Sequence, residues 1–553
     1  MTKVKKHLTK EQLKKSLDKI SIQPWHPFLF AAWFIFFQAA HNVEETASSV
    51  VGRPILFTLL VMGVIFAVTL AIFKSSLRIG FVLTLLVFLF FGFGHVLTAT
   101  GKITDKLSFL EPLSANRYVL LLLLAAVSVM VFAVARSKKS FRQPTKYLNL
   151  VALVLVVFNL YGILSHDAGA SSTPNQQSTS LKTDRGRPDI YYIVPDHYMN
   201  NAVIKSQLGF DDKDFINYLE SNDFYVFDKA WSNYQFTTQS LASTMNMRYL
   251  DDEIKKNYGK SNDVTPLQRL IRDNEIVKNL KPLGYKYVNV GSWWGVTRNN
   301  PNADKNYGNA ISYTFLNRKA VPTEFEHLLL TNSVLNPFMK RGVTINDYTL
   351  LKLNTIVGND SVASALYQLS AIKQAVHIPG PKYTFMHLLV PHPDYAWDKN
   401  CKYPMNYQAN TSKKTKYNNN VQCASKMLRD TVDYITKNSK TDPIIIIQAD
   451  EGMYPFYGNK SDLEEKNNPN LVWWEMSDKD LQIKFSVLRA MRLPGVDLSK
   501  YDSTDTSANT FRILFNEYFG ADYEMLPAKS YVYKNEQDHY NFREITDRLH
   551  ISQ

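Results

Sequence analysis

Three short apolar runs in this chain stop at residues that do chemistry. "DIYYIVPDHYMN" delivers Asp196 with His197 beside it. "KYTFMHLLVPHPDY" carries His387 and then His392. "PIIIIQADEG" drives four isoleucines into Asp450 and Glu451. Any one carboxylate after a strand reads equally well as a turn residue or a helix cap. Carboxylates and imidazoles gathered at three strand ends instead suggest a divalent-cation site, because a cation would neutralise anions that are costly to cluster. A nucleophile is available in "SNYQFTTQSLASTMN", where Thr237 and Thr238 stand at the expected start of a helix. A helix start favours an anionic phosphate. It is also where a threonine serves only as an N-cap, and position alone does not separate the two.

The elements that must position these groups are legible from Pro188 onward. Strand-like "DIYYIV", helix-like "DKDFINYLESND" and strand-like "FYVF" are followed by "NEIVKNLKPLG" and "YKYVNVG". The later pairs are "SVASALYQLSAIKQAV" with "KYTFMHLLV", and "VQCASKMLRDTVDYITKNS" with "PIIIIQAD". Helices alternating with strands buried on both faces indicate an α/β fold, a central mixed sheet flanked by helices. Ligands bind such sheets at the carboxyl ends of the strands, where the candidates fall.

The 553 residues exceed one ordinary domain. Residues 1–165 read as a five-helix transmembrane domain, with spans at about 27–41, 54–73, 79–99, 118–135 and 147–164. No small-residue cleavage site follows the first span, so a removable signal peptide is not expected. The tail "MTKVKKHLTKEQLKK" and the joints around Lys74 and Arg78 and at "RSKKSFRQPTK" are basic, and "NVEETASSVVGR" is acidic. The positive-inside rule then puts the N-terminus in the cytoplasm and everything after residue 165 outside the cytoplasmic membrane. Residues 166–187 form a polar linker, and 188–553 the extracytoplasmic domain. The net charge of +13 includes the basic cytoplasmic edge. It fits anionic lipid and gives no reason to expect a nucleic-acid partner. The two cysteines, Cys401 and Cys423, both fall in the external part, where a disulfide and two free thiols are both open readings.

The order strand-Asp, Asn-Tyr-x-x-Thr-x-x-Ser-Leu-Ala-Ser, His-rich strand, strand-Asp-x-Gly resembles the alkaline phosphatase/sulfatase superfamily. Five spans before such a domain resemble the membrane phospho-head-group transferases, lipoteichoic acid synthase and the phosphoethanolamine transferases among them. The resemblance covers most of residues 188–530, including "VLRAMRLPGVD" and "SANTFRILFNEYFGADYEMLP". It implies that Asp196 and Asp450 are metal ligands and that Thr237, three residues before Ser240, is the nucleophile and a further ligand. His392 is implied as a phosphate contact with a catalytic role, and His387 as a weaker substrate-binding match. Arg512 lies in the resembling segment without an assigned role. One position departs. Glu451 stands where the superfamily usually keeps a histidine ligand. If Glu451 ligates, the shell is three carboxylates and a Thr oxygen, which favours Mn²⁺ or Mg²⁺ over Zn²⁺.

The expected reaction is metal-dependent phosphotransfer. Thr237 attacks the phosphorus of a phospholipid donor, and His392 bonds the phosphate or protonates the leaving group. An envelope glycan or glycolipid then accepts the head group. Transfer to water would make the protein a phosphodiesterase. A sulfatase is disfavoured because no Cys/Ser-x-Pro-x-Arg pattern surrounds position 237. A metal-free pseudoenzyme that binds envelope glycan or lipid is the reading that Glu451 would support. A transporter finds little support in spans whose ionisable residues are few beyond His41 and His95.

Overall fold

The computed structural model describes residues 11, 18–42, 51–73, 75–104, 116–169, 181–251, 264–308, 312–316, 318–320, 324–346, 348–354, 360–393, 395–403, 411–455, 472–501, 506–535 and 537–549. Most of the basic N-terminal tail, most of the first joint, the third joint and about half of the linker lie outside these residues. The chain divides into two compact units. One comprises residues 1–175 with 311–354, the other residues 176–310 with 355–553.

The first unit is built on five helices: α1 (His26–His41), α2 (Gly52–Phe73), α3 (Ser76–Thr104), α4 (Asn116–Arg136) and α5 (Arg142–Gly169). Four of them, α2 to α5, are long and apolar enough to cross a membrane. Their outward faces carry Leu56, Phe57, Leu60, Leu121, Val129 and Phe158, a surface that suits lipid rather than water. The first expected span differs. Helix α1 has 16 residues, which at the α-helical rise is about 24 Å, short of the roughly 30 Å hydrocarbon core. It is the packed centre of the group. Its Phe30, Ala31 and Phe34 are buried against Met62, Leu83, Val87 and Ala152.

The same unit includes an excursion from the later sequence. Helices α7 (Glu324–Asn332) and α8 (Asn336–Arg341) accompany a four-stranded antiparallel sheet of β5 (Ser312–Phe315), β6 (Arg318–Ala320), β7 (Val343–Ile345) and β8 (Tyr348–Asn354). Helix α7 packs on α3 so closely that a Cβ added at Gly94 would lie 2.8 Å from the Asn332 carbonyl oxygen. The Val334 amide donates to the Phe90 carbonyl at 2.9 Å, and Arg53 pairs with Glu326.

The second unit holds a seven-stranded mixed sheet in the order β2-β11-β10-β1-β9-β3-β4. Its strands are β1 (Ile190–Pro195), β2 (Tyr225–Val226), β3 (Lys286–Val290), β4 (Lys305–Asn306), β9 (Lys382–Leu388), β10 (Ile444–Gln448) and β11 (Arg489–Arg492). Strands β10, β1, β9, β3 and β4 run parallel, β11 pairs antiparallel with β10, and the edge strand β2 pairs antiparallel with β11, so that β11 alone runs against the others. The central strands are buried on both faces, which is why they read as unbroken apolar runs. Among the flanking helices are α6 (Thr237–Met245), α9 (Asp360–Val376), α10 (Lys413–Asn438), α11 (Asp478–Phe485) and α12 (Thr510–Phe519). Cys401 and Cys423 form a disulfide that ties a loop to α10.

Candidate active site

Strand β1 lies between β10 and β9, with Val194 opposite His387. Three adjacent parallel strands therefore end side by side, bringing Asp196, His387 and Asp450 to one edge of the sheet. His387 Nε2 is 3.7 Å from Asp196 Oδ2 and 3.9 Å from Asp450 Oδ2. All three residues are buried, and their ligand atoms are close enough to share one ion. His392 approaches from the rim, its Nε2 3.9 Å from Asp196 Oδ2, with a quarter of its side chain exposed. His197 completes a second group with Asp196 and His392.

Buried polar atoms are almost always hydrogen-bonded, and these are exceptions. Asp196 Oδ1, His387 Nε2, both carboxylate oxygens of Asp450 and Glu451 Oε2 are buried without a hydrogen bond, the last of them facing the Lys484 ammonium. The donor set of carboxylate oxygens and an imidazole nitrogen is one that divalent metals use, so these residues fit a metal ion. The cluster differs from the all-oxygen shell expected from the sequence, because an imidazole joins the carboxylates.

The electrostatics follow from the same burial. Burial, then the neighbouring Asp450 and Glu451 charges, push the Asp196 carboxyl well above its ordinary range. Burial, then Glu451, push Asp450 up to about 7, with Thr237 beside it moderating the rise. His387 is driven down to about 3 by burial, and His392 well below its ordinary value for the same reason. Both rings are thus neutral at physiological pH. His392 Nδ1 lies 3.0 Å from the Pro393 carbonyl, which can only accept. The proton therefore sits on Nδ1, and Nε2 presents a lone pair to the site.

Thr237 is the first residue of α6, and the preceding Phe236 caps the helix without a side-chain bond. The Thr237 hydroxyl donates to Glu451 Oε1 at 3.0 Å. Ser240 points away and donates to the Tyr234 carbonyl at 2.8 Å. Glu451 falls in neither group of metal-competent ligands. Its Oε1 lies 3.1 Å from His197 Nε2, and its Oε2 pairs with Lys484 of α11. Lys484 is fully buried, its ammonium 4.0 Å from the ring centre of Tyr454 and 4.7 Å from that of Phe236. Burial would raise the Glu451 carboxyl, but Lys484 and His197 outweigh it and hold the group at about 2.

Two of these partners escaped the sequence reading. His197 was noticed only as a neighbour of Asp196. It adopts a left-handed φ of 65°, and its carbonyl accepts from the Tyr417 hydroxyl at 2.8 Å. Lys484 left a usable signal. In "DLQIKFS" it stands three residues after the buried Leu481 and between the buried Ile483 and Phe485. A lysine on the apolar face of a helix calls for a buried anion. Arg512 has a structural place, donating to the carbonyls of Met247 and Glu524, each at 2.7 Å.

No family model matches the chain, and no curated protein matches it in sequence. Solved structures do. The periplasmic domain of Escherichia coli EptC, in complex with Zn, is similar at 12% identity and TM-score 0.39, covering 64% of this chain and 87% of that one. The periplasmic domain of the Campylobacter jejuni phosphoethanolamine transferase EptC is similar at 12% identity and TM-score 0.35, covering 60% and 89%. A Vibrio parahaemolyticus protein of the alkaline phosphatase superfamily is similar at 12% identity and TM-score 0.37, covering 66% and 79%. The description of the Vibrio parahaemolyticus protein names the superfamily that the motif order resembles.

Proposed function

We propose that this protein is a membrane-anchored, metal-dependent phosphotransferase that moves a phospho-head-group from a phospholipid to an envelope hydroxyl acceptor by way of Thr237. The carrying observation is the set of buried polar atoms on Asp196, His387 and Asp450 that no protein group satisfies. Glu451 is neutralised by Lys484, which leaves the two carboxylates Asp196 and Asp450 as the excess anionic charge. That charge matches one divalent cation. Asp196, Asp450 and His387 would hold it, with the Thr237 oxygen beside them. A mixed oxygen and nitrogen set suits Mn²⁺ or Zn²⁺ better than Mg²⁺.

When bound, the cation would lower the pKa of the Thr237 hydroxyl and offset phosphate charge. The chain supplies the rest. The N-terminus of α6 presents backbone N–H groups and the positive end of the helix dipole to the phosphate. Thr237 Oγ1 forms the new bond to phosphorus while the bond to the diacylglycerol oxygen breaks, and the proton given up by Thr237 ends on that oxygen, so that diacylglycerol leaves as the alcohol. The head group then rests on Thr237 as a phosphodiester. In the second step His392, with its Nε2 lone pair at the partly exposed rim, takes the proton of the incoming acceptor hydroxyl as that oxygen bonds to phosphorus and the bond from phosphorus to Thr237 Oγ1 breaks, and the proton then restores the Thr237 hydroxyl. This role differs from the donor role expected from sequence, because the Nδ1 proton is spent on Pro393. Helices α2 to α5, with α1 as a fifth crossing, would keep the site on the membrane that holds its donor, outside the cytoplasm.

The test uses the full chain in lipid nanodiscs containing fluorescent phosphatidylglycerol or phosphatidylethanolamine, with Mn²⁺ or Zn²⁺ added. Thr237→Ala should abolish turnover, and mass spectrometry of the wild type should find the head group on Thr237. Wild-type turnover by the variant would remove Thr237 as the nucleophile. Release of the head group into water as the sole product would make the protein a phosphodiesterase.

A further inference from the structure

Resting on the metal-dependent reading above, we propose that Glu451 is held out of the cation's ligand set by Lys484 and serves as the hydrogen-bond acceptor that orients the Thr237 hydroxyl. The two oxygens of Glu451 are already committed. Oε2 carries the ion pair to Lys484, and Oε1 accepts from Thr237 at 3.0 Å and lies 3.1 Å from His197 Nε2. Lys484 has no route to solvent. It is fully buried and sits over the rings of Tyr454 and Phe236.

Its backbone fixes it as well. The Gly452 amide donates to the Lys484 carbonyl at 2.8 Å, and the Lys484 ammonium donates to the Gly452 carbonyl at 3.3 Å. The residue after Glu451 is thus bonded at both its amide and its carbonyl to the lysine that neutralises Glu451. Removing either charge alone would strand the other in the interior, so the glutamate and the lysine form one device.

Charge bookkeeping points the same way. Three carboxylates and one ammonium are buried here, with the His197 imidazole on the Glu451 side of the cluster, 3.1 Å from Glu451 Oε1. A cation that also recruited Glu451 would leave Lys484 as an unpaired buried charge beside a metal, which is unfavourable. With Glu451 on Lys484, the cation faces two carboxylates and the neutral His387. The Thr237 hydrogen is then directed at Glu451, and the remaining lone pairs of Oγ1 are free to face phosphorus. Lys484 acts through Glu451 and is a positioning residue.

Isothermal titration calorimetry of Mn²⁺ and Zn²⁺ into the full chain in detergent separates this proposal from the reading beneath it. Asp196→Asn and Asp450→Asn should weaken binding by more than about a hundredfold. Glu451→Gln combined with Lys484→Met, which removes both charges and strands neither, should stay within about tenfold of wild type, the low end for a residue outside the ligand set. It should lower kcat while leaving KM for the lipid donor within about twofold, since an orienting bond to the nucleophile acts on the chemical step. Glu451→Gln alone leaves Lys484 unpaired beside the cation and should bind it more weakly than the double variant does. If the double variant loses affinity as severely as Asp450→Asn, Glu451 is a ligand and the proposal fails while metal dependence stands. If the wild type binds neither cation, both fail.

Discussion

Asp450 must be ionised to hold a cation, yet burial and Glu451 keep its proton up to about 7. Cation affinity should therefore fall as pH drops through about 7, and below that pH each ion bound should displace the Asp450 proton, the raised Asp196 carboxyl adding to the release. Calorimetry in buffers of different ionisation enthalpy measures that proton directly. The sign for stability is the opposite. A carboxyl whose folded pKa is raised stabilises the metal-free fold fully only below its unfolded pKa, near the ordinary 3.8, and the stability is lost as pH rises through about 7. Metal-free protein should thus melt at a lower temperature at pH 8 than at pH 6, and saturating cation should remove most of the difference. At this scale the sequence disclosed Asp196, Thr237, Asp450 and the two histidines of "HLLVPHPDY", because each closes an apolar run or opens a helix. It did not disclose who holds Glu451. Lys484 lies 33 residues later, and only the fold brings α11 against the end of β10.

The strand–helix alternation was readable because parallel strands covered on both faces give unbroken apolar stretches. The strands around Asp196, His387 and Asp450 all occur where the pattern places them. Their side-by-side order was not readable, since β1, β9 and β10 are separated by long stretches of sequence and become neighbours only through pairing. The junction between β10 and α11 is tight. A Cβ at Gly452 would sit 2.1 Å from the Ile483 carbonyl oxygen and 2.8 Å from that of Ser486. Gly452→Ala should consequently force the Glu451–Lys484 pair apart, costing about 1–3 kcal/mol. Thermal denaturation of the purified chain reads the loss, and activity should fall further than stability alone explains. Lys484→Met should cost about 3–5 kcal/mol, because it leaves Glu451 as a lone buried charge. Adding Glu451→Gln should recover most of that in the same melting experiment.

The membrane face of the molecule was visible as apolar runs separated by charged joints, and four helices meet the length that a span requires. The run at 27–41 shows why composition alone does not fix the count. A helix at the centre of a bundle is apolar all round for packing reasons, whether or not it crosses. The parity has a measurable consequence. Five crossings put the N-terminus and the catalytic unit on opposite sides, and four put them on the same side. A protease-cleavable tag at the N-terminus should be protected in intact cells if α1 crosses, as proposed, and digested if it does not. The excursion at 311–354 was not legible, because its short strands and helices resemble those of the α/β unit. Only its packing on α3 assigns it to the membrane helices. Cutting the chain between 181 and 187 should then leave the C-terminal fragment in the membrane pellet after a high-salt wash, since that fragment carries the excursion with it. A fragment begun near residue 185 takes along a surface shaped to cover α3. Replacing 311–354 with a short Gly/Ser bridge should convert that fragment from an aggregate to a monomer by gel filtration. The polypeptide passes between the two units three times, at the linker and on either side of the excursion. Such a protein cannot be shuffled in evolution as an anchor plus a cassette spliced at one joint, so any exchange of its catalytic half for another would have to break and rejoin the gene at three places at once.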